Sequence, residues 1–247
     1  MNLLLLLLFF FFLMLIGLPL YLALLSVAFA GIAVLGDTSL LPVVSQQLFG
    51  GMDSFTLMAI PFFVLAGSLM NRSGLTDKLI DFSKLLVGSI RGGLGYVNIV
   101  AGIILAGVNG SAAADASALS SILIPAMKKE GYNQGYAAGL TAASSLIGPI
   151  IPPSIFMIIY ASMTNTSIGG LFAAGIVPGL LLGLAYAVMN YFYSFRYGAP
   201  VSSGEERSQA KNILTQSISG LLAPIIIIGG IVTGIVTPTE SGALAAA

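Results

Sequence analysis

"GPIIPPS", residues 148–154, lies inside an apolar stretch that runs from about Tyr132 to Tyr160. Proline has no backbone N–H and its ring clashes with the preceding turn, so Pro149, Pro152 and Pro153 do not fit a continuous helix. The missing donors leave the carbonyls of Ser145, Gly148 and Pro149 without their i+4 partners. Ser144, Ser145 and Ser154 add hydroxyl oxygens on either side. Residues 132–163 therefore read as a discontinuous helix, two half-helices around a cluster of free oxygens. A mere kink is the plainer reading, and a single proline would serve it. A cluster of backbone and hydroxyl oxygens suits a hard cation such as Na+.

The rest of the chain says where such a break would sit. The 247 residues are 57% hydrophobic and only 7% charged, with mean hydropathy +1.02. Soluble domains carry about 25% charged residues, so this is the composition of an all-α integral membrane protein. At about 20 residues per span, the length allows about six to eight embedded elements. Cys and His are both absent, which excludes disulfides, Cys/His metal centres and imidazole acid–base chemistry. The formal net charge is +0 with no basic tract, which gives no footing for nucleic acid. The opening MNLLLLLLFFFF lacks a basic leader and runs on to Leu35, so it reads as membrane structure and not as a signal peptide.

Residues 1–70 read as N-terminal membrane helices. Residues 3–35 would be roughly 50 Å long as one helix, and Gly17-Leu18-Pro19 offers a break into two short ones. A polar-edged connection, 36–53, leads to a span at about 54–70. Residues 71–91 differ in character: Leu75, Leu79, Phe82 and Leu86 recur at helical spacing among Asp77, Lys78, Asp81 and Lys84. This pattern predicts an amphipathic helix in the membrane interface. Residues 92–165 hold the segment 94–127 and the broken helix 132–163. Residues 166–236 supply further membrane helices around a polar loop, 196–211. The chain then ends at 237–247 inside "TPTESGALAAA", which is expected to open a truncated segment. No internal repeat is evident. All nine Lys and Arg fall in three loops, 72–91, 128–129 and 196–211. If 94–127 enters and leaves on one side, these share one face, which the positive-inside rule makes cytoplasmic.

That condition is met if 94–127 is a re-entrant hairpin. Its arms, about 94–107 and 112–127, are short for two spans, and the middle reads AGVNGSAAADASA. Small residues let the arms pack closely, and a non-helical tip at Asn109, Gly110 and Ser111 requires protein or a wet cavity around it. Two ordinary spans joined by a Gly-rich turn remain the alternative. Asp115 has two readings as well: an ionisable group at depth marks a functional site, while a carboxylate in a first helical turn also offsets the dipole. An intramembrane enzyme is disfavoured, since a Ser–His pair is impossible without His and Asp115 stands alone as a buried carboxylate.

The stretches "AIPFFVLAGSLMNRSGLTDKLIDFS" (59–83), "RGGLGYVNIVAG" (91–102), "NGSAAADASA" (109–118), "LIPAMKKEGY" (123–132), "TAASSLIGPIIPPSIFMIIYA" (141–161), "LFAAGIVPGLLLG" (171–183) and "GIVTPTESGALAA" (234–246) cover nearly the whole chain. Together they resemble the large membrane subunit, the M-type permease, of the tripartite ATP-independent periplasmic (TRAP) transporters. The resemblance implies one half of an elevator-type secondary transporter, with interfacial arm helices and a moving domain that carries two re-entrant hairpins. It implies Na+-driven uptake of an organic acid, of the C4-dicarboxylate or sialic acid type, across a bacterial inner membrane, with Na+ as coupling ion and no other cofactor. A small four-helix membrane subunit and a periplasmic solute-binding protein are the implied partners. Carried over by motif, Asn109, Gly110 and Ser111 would form the first hairpin's ion and substrate surface. Gly148, Pro149, Ile151, Pro152 and Pro153 would be the facing loop of a Na+ site, with Ser145 as a ligand and Ser144, Ser154 and Asp115 in support. Many relatives carry Ser where this chain has Asn109, which leaves that ligand's role open. The family's second, inverted half is absent from these 247 residues, so this length alone is not expected to transport. A carboxylate carrier of similar architecture without a binding protein, and an inactive scaffold, are the alternatives.

Overall fold

A computed structural model describes residues 2–53, 55–198 and 210–246. Every described element is helical. Most of the polar loop 196–211, including Arg207 and Ser203, lies outside the described residues, as does the side chain of Asn109. The chain forms two compact units, residues 1–54 and 55–247.

The first unit holds α1 (Asn2–Leu15), α2 (Leu20–Leu35), a 3-10 turn at Thr38–Leu40 and α3 (Leu41–Met52). Residues 3–35 are thus two helices. Gly17 supplies the positive φ of 88° that ends the first, and Pro19 precedes the second where its missing N–H costs nothing.

The second unit begins with a 3-10 turn at Phe55–Met58 and α4 (Ala59–Arg72). On α4, Ala59, Phe63, Ala66 and Gly67 make a buried stripe at helical spacing. It packs against α12 (Pro238–Ala246), where Gly242 leaves room for Phe62. Between these lie α5 (Leu75–Val87), α6 (Gly93–Asn109), α7 (Ala112–Lys129), α8 (Gln134–Ser145), α9 (Ile155–Thr164), α10 (Ile168–Tyr197) and α11 (Ala210–Val232). Among the described residues, α10 alone is long and apolar enough to cross a membrane by itself.

The buried face of α5 is not the expected Leu75, Leu79, Phe82, Leu86 stripe. The structure buries Thr76, Leu79, Ile80 and Ser83 and leaves Leu86 exposed. Tertiary packing overrides the apolar pattern: Ser83 turns its hydroxyl back to the Leu79 carbonyl, and Ser217 of α11 donates to the Lys78 carbonyl at 3.0 Å. Gly220 of α11 leaves space for Leu75. The helix is clasped by α6 and α11.

α6, α7 and α8 pack on one another through Val97, Leu105, Leu119, Leu123, Met127 and Leu140. Asn98 is fully buried among them. Its amide donates to Thr141 Oγ1 at 2.6 Å, and its carbonyl oxygen accepts from Ser144 Oγ at 2.7 Å. An amide left unpaired there would cost about 1–3 kcal/mol, so this bond pair fixes α8 against α6. α10 closes over the same body with a glycine stripe. Ile103, Ile151 and the carbonyl of Ile150 occupy the places that side chains at Gly183, Gly179 and Gly175 would take.

Candidate functional site

α6 ends because Gly110 adopts a left-handed conformation, φ 57°, with its N–H closing on the Ala106 carbonyl at 3.3 Å. Ser111 is then extended, φ −134°, and α7 begins at Ala112. The hairpin tip is therefore two residues long, at the position that the Asn-Gly-Ser signal marks. α8 likewise ends at Ser145 and α9 starts only at Ile155. Residues 146–154 form the break. Its first residues turn tightly, with Ile147 N–H on the Ser144 carbonyl and Ile150 and Ile151 N–H both on the Ile147 carbonyl at 2.9 Å.

The tip and the break are in contact. A β-carbon on Gly110 would overlap the carbonyl oxygen of Pro153, and a β-carbon on Gly148 would overlap the carboxylate of Asp115. Two helices end here, α6 and α8, and two begin, α7 and α9. Helix C-termini present carbonyls, which attract cations, and helix N-termini present amides, which attract anions. One small volume thus offers partial charges of both signs.

Two of the three carbonyls expected to be free, and all three serine hydroxyls, are engaged within the protein. The Ser145 carbonyl accepts from Gly148 N–H at 3.2 Å, an i+3 bond in place of the lost i+4 bond. The Pro149 carbonyl accepts from Ser154 Oγ at 2.6 Å, and Ser154 Oγ in turn caps α9 through Met157 N–H at 3.3 Å. Ser154 is thus a staple that closes the break. Ser144 spends its hydroxyl proton on Asn98, and Ser145 donates to the Thr141 carbonyl at 2.7 Å. No backbone donor reaches the carbonyls of Gly148 and Ile151 among the described residues. Ile151 packs its side chain against Gly179, so its carbonyl is what it has to offer. Pro152 and Pro153 are buried, and the Pro152 carbonyl lies toward Gly107. Asp115 is fully buried and faces the break. Ser111 is half-buried, on the rim of a cavity beside α4.

A family model described as "Tripartite ATP-independent periplasmic transporter, DctM component" matches residues 7–247. The chain belongs to the DctM family of TRAP transporter large permeases. It is 45% identical over 228 residues to a sialic acid TRAP transporter large permease of Vibrio cholerae, covering 92% of this chain and 53% of that one. It is 42% identical over 231 residues to a 2,3-diketo-L-gulonate TRAP large permease of Escherichia coli, covering 94% and 54%. A C4-dicarboxylate TRAP large permease of Pseudomonas aeruginosa is 42% identical over 200 residues, covering 81% and 47%. The chain spans about half the length of these permeases.

The sequence reading passed over two residues of this DctM-family chain. Asn98 locks the three helices behind the site. Asn190, fully buried on α10, accepts from the Tyr136 hydroxyl at 2.9 Å and donates to the Gly92 carbonyl at 3.2 Å. A lone amide inside an apolar helix was the available signal for both, since such a group must find a partner.

Proposed function

We propose that this chain is the permease part of a Na+-coupled importer of an organic acid in a bacterial inner membrane. Family membership supports the transporter class, and the relatives named above are named for sialic acid, a keto-sugar acid and C4-dicarboxylates. The observation that carries the coupling is the docking of the Gly110 tip onto the Pro153 carbonyl, beside the Gly148 and Ile151 carbonyls, which no backbone N–H reaches among the described residues. Backbone oxygens from an unwound helix are what Na+ takes in secondary transporters. On this reading α6 and α7 form a re-entrant hairpin whose tip reaches the break from the cytoplasmic side. Ser111, Ser145 and Asn109 complete the oxygen set with Gly148, Pro149, Ile151 and Pro153, while Asp115, Ser144, Pro152 and Ser154 hold its shape. A small four-helix membrane subunit and a periplasmic solute-binding protein complete the machine.

The test is uptake by the complete transporter in proteoliposomes. Radiolabelled sialic acid or succinate should accumulate only with an inward Na+ gradient and with the binding protein added. Accumulation without the binding protein would favour a carrier that works alone. Accumulation driven equally by K+ would overturn the Na+ assignment.

A further inference from the structure

A cavity of about 400 Å³ lies between α4, the hairpin tip and the start of α9, lined among others by Phe63, Ser68, Asn71, Arg72, Ser111 and Ile155. We infer that this cavity holds the organic anion, with Arg72 as the anchor for its carboxylate; this rests on the reading of the chain as an organic-acid carrier.

The size falls within the range of small-molecule sites, about 300–1,000 Å³. Arg72 is the last residue of α4 and is exposed. Among the described residues the one ion pair is Lys84–Asp81, so no described carboxylate neutralises this guanidinium. A guanidinium matches a carboxylate bidentately and is always charged. The opposite wall carries charge of the same sign. α7 starts at the cavity with Ser111 as its N-cap, and the Ser111 side chain makes no capping bond to the first amides. α9 starts there too, at Ile155. The amide ends of two helices and one arginine therefore converge on one volume, and each favours an anion. Asp115, the nearby acid on α7, turns instead toward Gly148 in the break. Phe63 and Ile155 supply an apolar wall for a carbon skeleton, while Ser68 offers a hydroxyl to hydroxyl or keto oxygens. Arg72 sits at the end of α4 that the basic loops place in the cytoplasm. The cavity so placed is one from which an imported acid leaves inward.

The chain has no cysteine, so Ser68→Cys, at an exposed position on the cavity wall, gives a single thiol. In lipid nanodiscs it is treated with a sulfonate-bearing or a trimethylammonium-bearing methanethiosulfonate. The anionic-to-cationic rate ratio should exceed that of a free thiol by about tenfold, the size expected for one unit charge a few ångströms away at intermediate dielectric. It should collapse in the Arg72→Gln background and persist with Arg72→Lys. Sialic acid or succinate should slow the anionic reagent saturably, and chloride at equal concentration should not. Equal rates for the two reagents would overturn the inference. So would a ratio indifferent to Arg72→Gln, no protection by either acid, or equal protection by chloride. An Arg72 that served only its helix end would change melting and leave the ratio alone. Labelling needs no ion gradient, so its failure leaves the Na+-driven uptake assay to stand or fall separately.

Discussion

Asp115 and Gly148 compete for one space: the Asp115 carboxylate on α7 stands where a β-carbon at position 148 would have to be. The hairpin and the broken helix are thereby keyed to each other. Position 148 tolerates glycine because a buried carboxylate, and no solvent, faces it.

Gly148→Ala should therefore destabilise the fold by about 1–3 kcal/mol, the cost of overpacking. Asp115→Ala on the same chain should recover part of that loss, since it removes the colliding group. Melting of the helical signal in nanodiscs for the two single changes and the double change gives the coupling. Additive losses would show that the two residues do not share the space.

Asn98→Leu removes the amide that pairs with Thr141 and Ser144. A loss of about 1–3 kcal/mol is expected from the polar groups left unpaired, with the largest effect on α8. Amide exchange should show 140–145 opening before the rest of the unit. Unchanged protection there would mean that apolar packing, and not Asn98, holds α8 in place.

Gly110→Ala meets two obstacles, a left-handed φ and the Pro153 carbonyl. The tip should move off the break and not merely strain. In the complete transporter the Na+ concentration for half-maximal uptake should rise about tenfold, equal to about 1.4 kcal/mol of lost binding. The same change at Gly139, which has open space around it, should leave Na+ dependence as it was.

Topology is testable with single cysteines. Ser83 is fully buried and would not label from either side, so Asp77→Cys and Lys129→Cys, both exposed, are the informative positions. An impermeant maleimide should reach neither in intact cells and both in inverted vesicles. External labelling of either one would refute the placement of the basic loops in the cytoplasm.

The elements were legible where backbone chemistry forces the outcome. Gly17 and Gly110, with their positive φ, end α1 and α6, and Pro19 and Pro152-Pro153 stand outside the helices that follow them. What escaped was whatever depends on a distant partner. The buried face of α5 is set by Ser217 and Gly220, about 140 residues away in sequence, and no local pattern encodes it. The Asn98–Ser144 bond spans 46 residues. Missing i+4 donors mark the turn at 148–153, but the i+3 bond from Gly148 and the Ser154 hydroxyl reach the Ser145 and Pro149 carbonyls, two of the three left by the prolines. Arg72 looked like one more loop cation until the fold set it across from Ser111.

The central claim is that Na+ binds between the hairpin tip and the break. Its most direct measurement is 22Na+ binding to the complete transporter in nanodiscs, for the wild type, Ser111→Ala, and the paired change Pro152→Ala with Pro153→Ala. The paired change restores the N–H groups that are i+4 to the Gly148 and Pro149 carbonyls, and Ser111→Ala removes the hydroxyl oxygen of the hairpin tip. The account predicts that both lower Na+ affinity about tenfold or more while expression and melting stay close to wild type. Wild-type Na+ affinity in both variants would contradict it, place the ion elsewhere, and leave the prolines with no role beyond bending a helix.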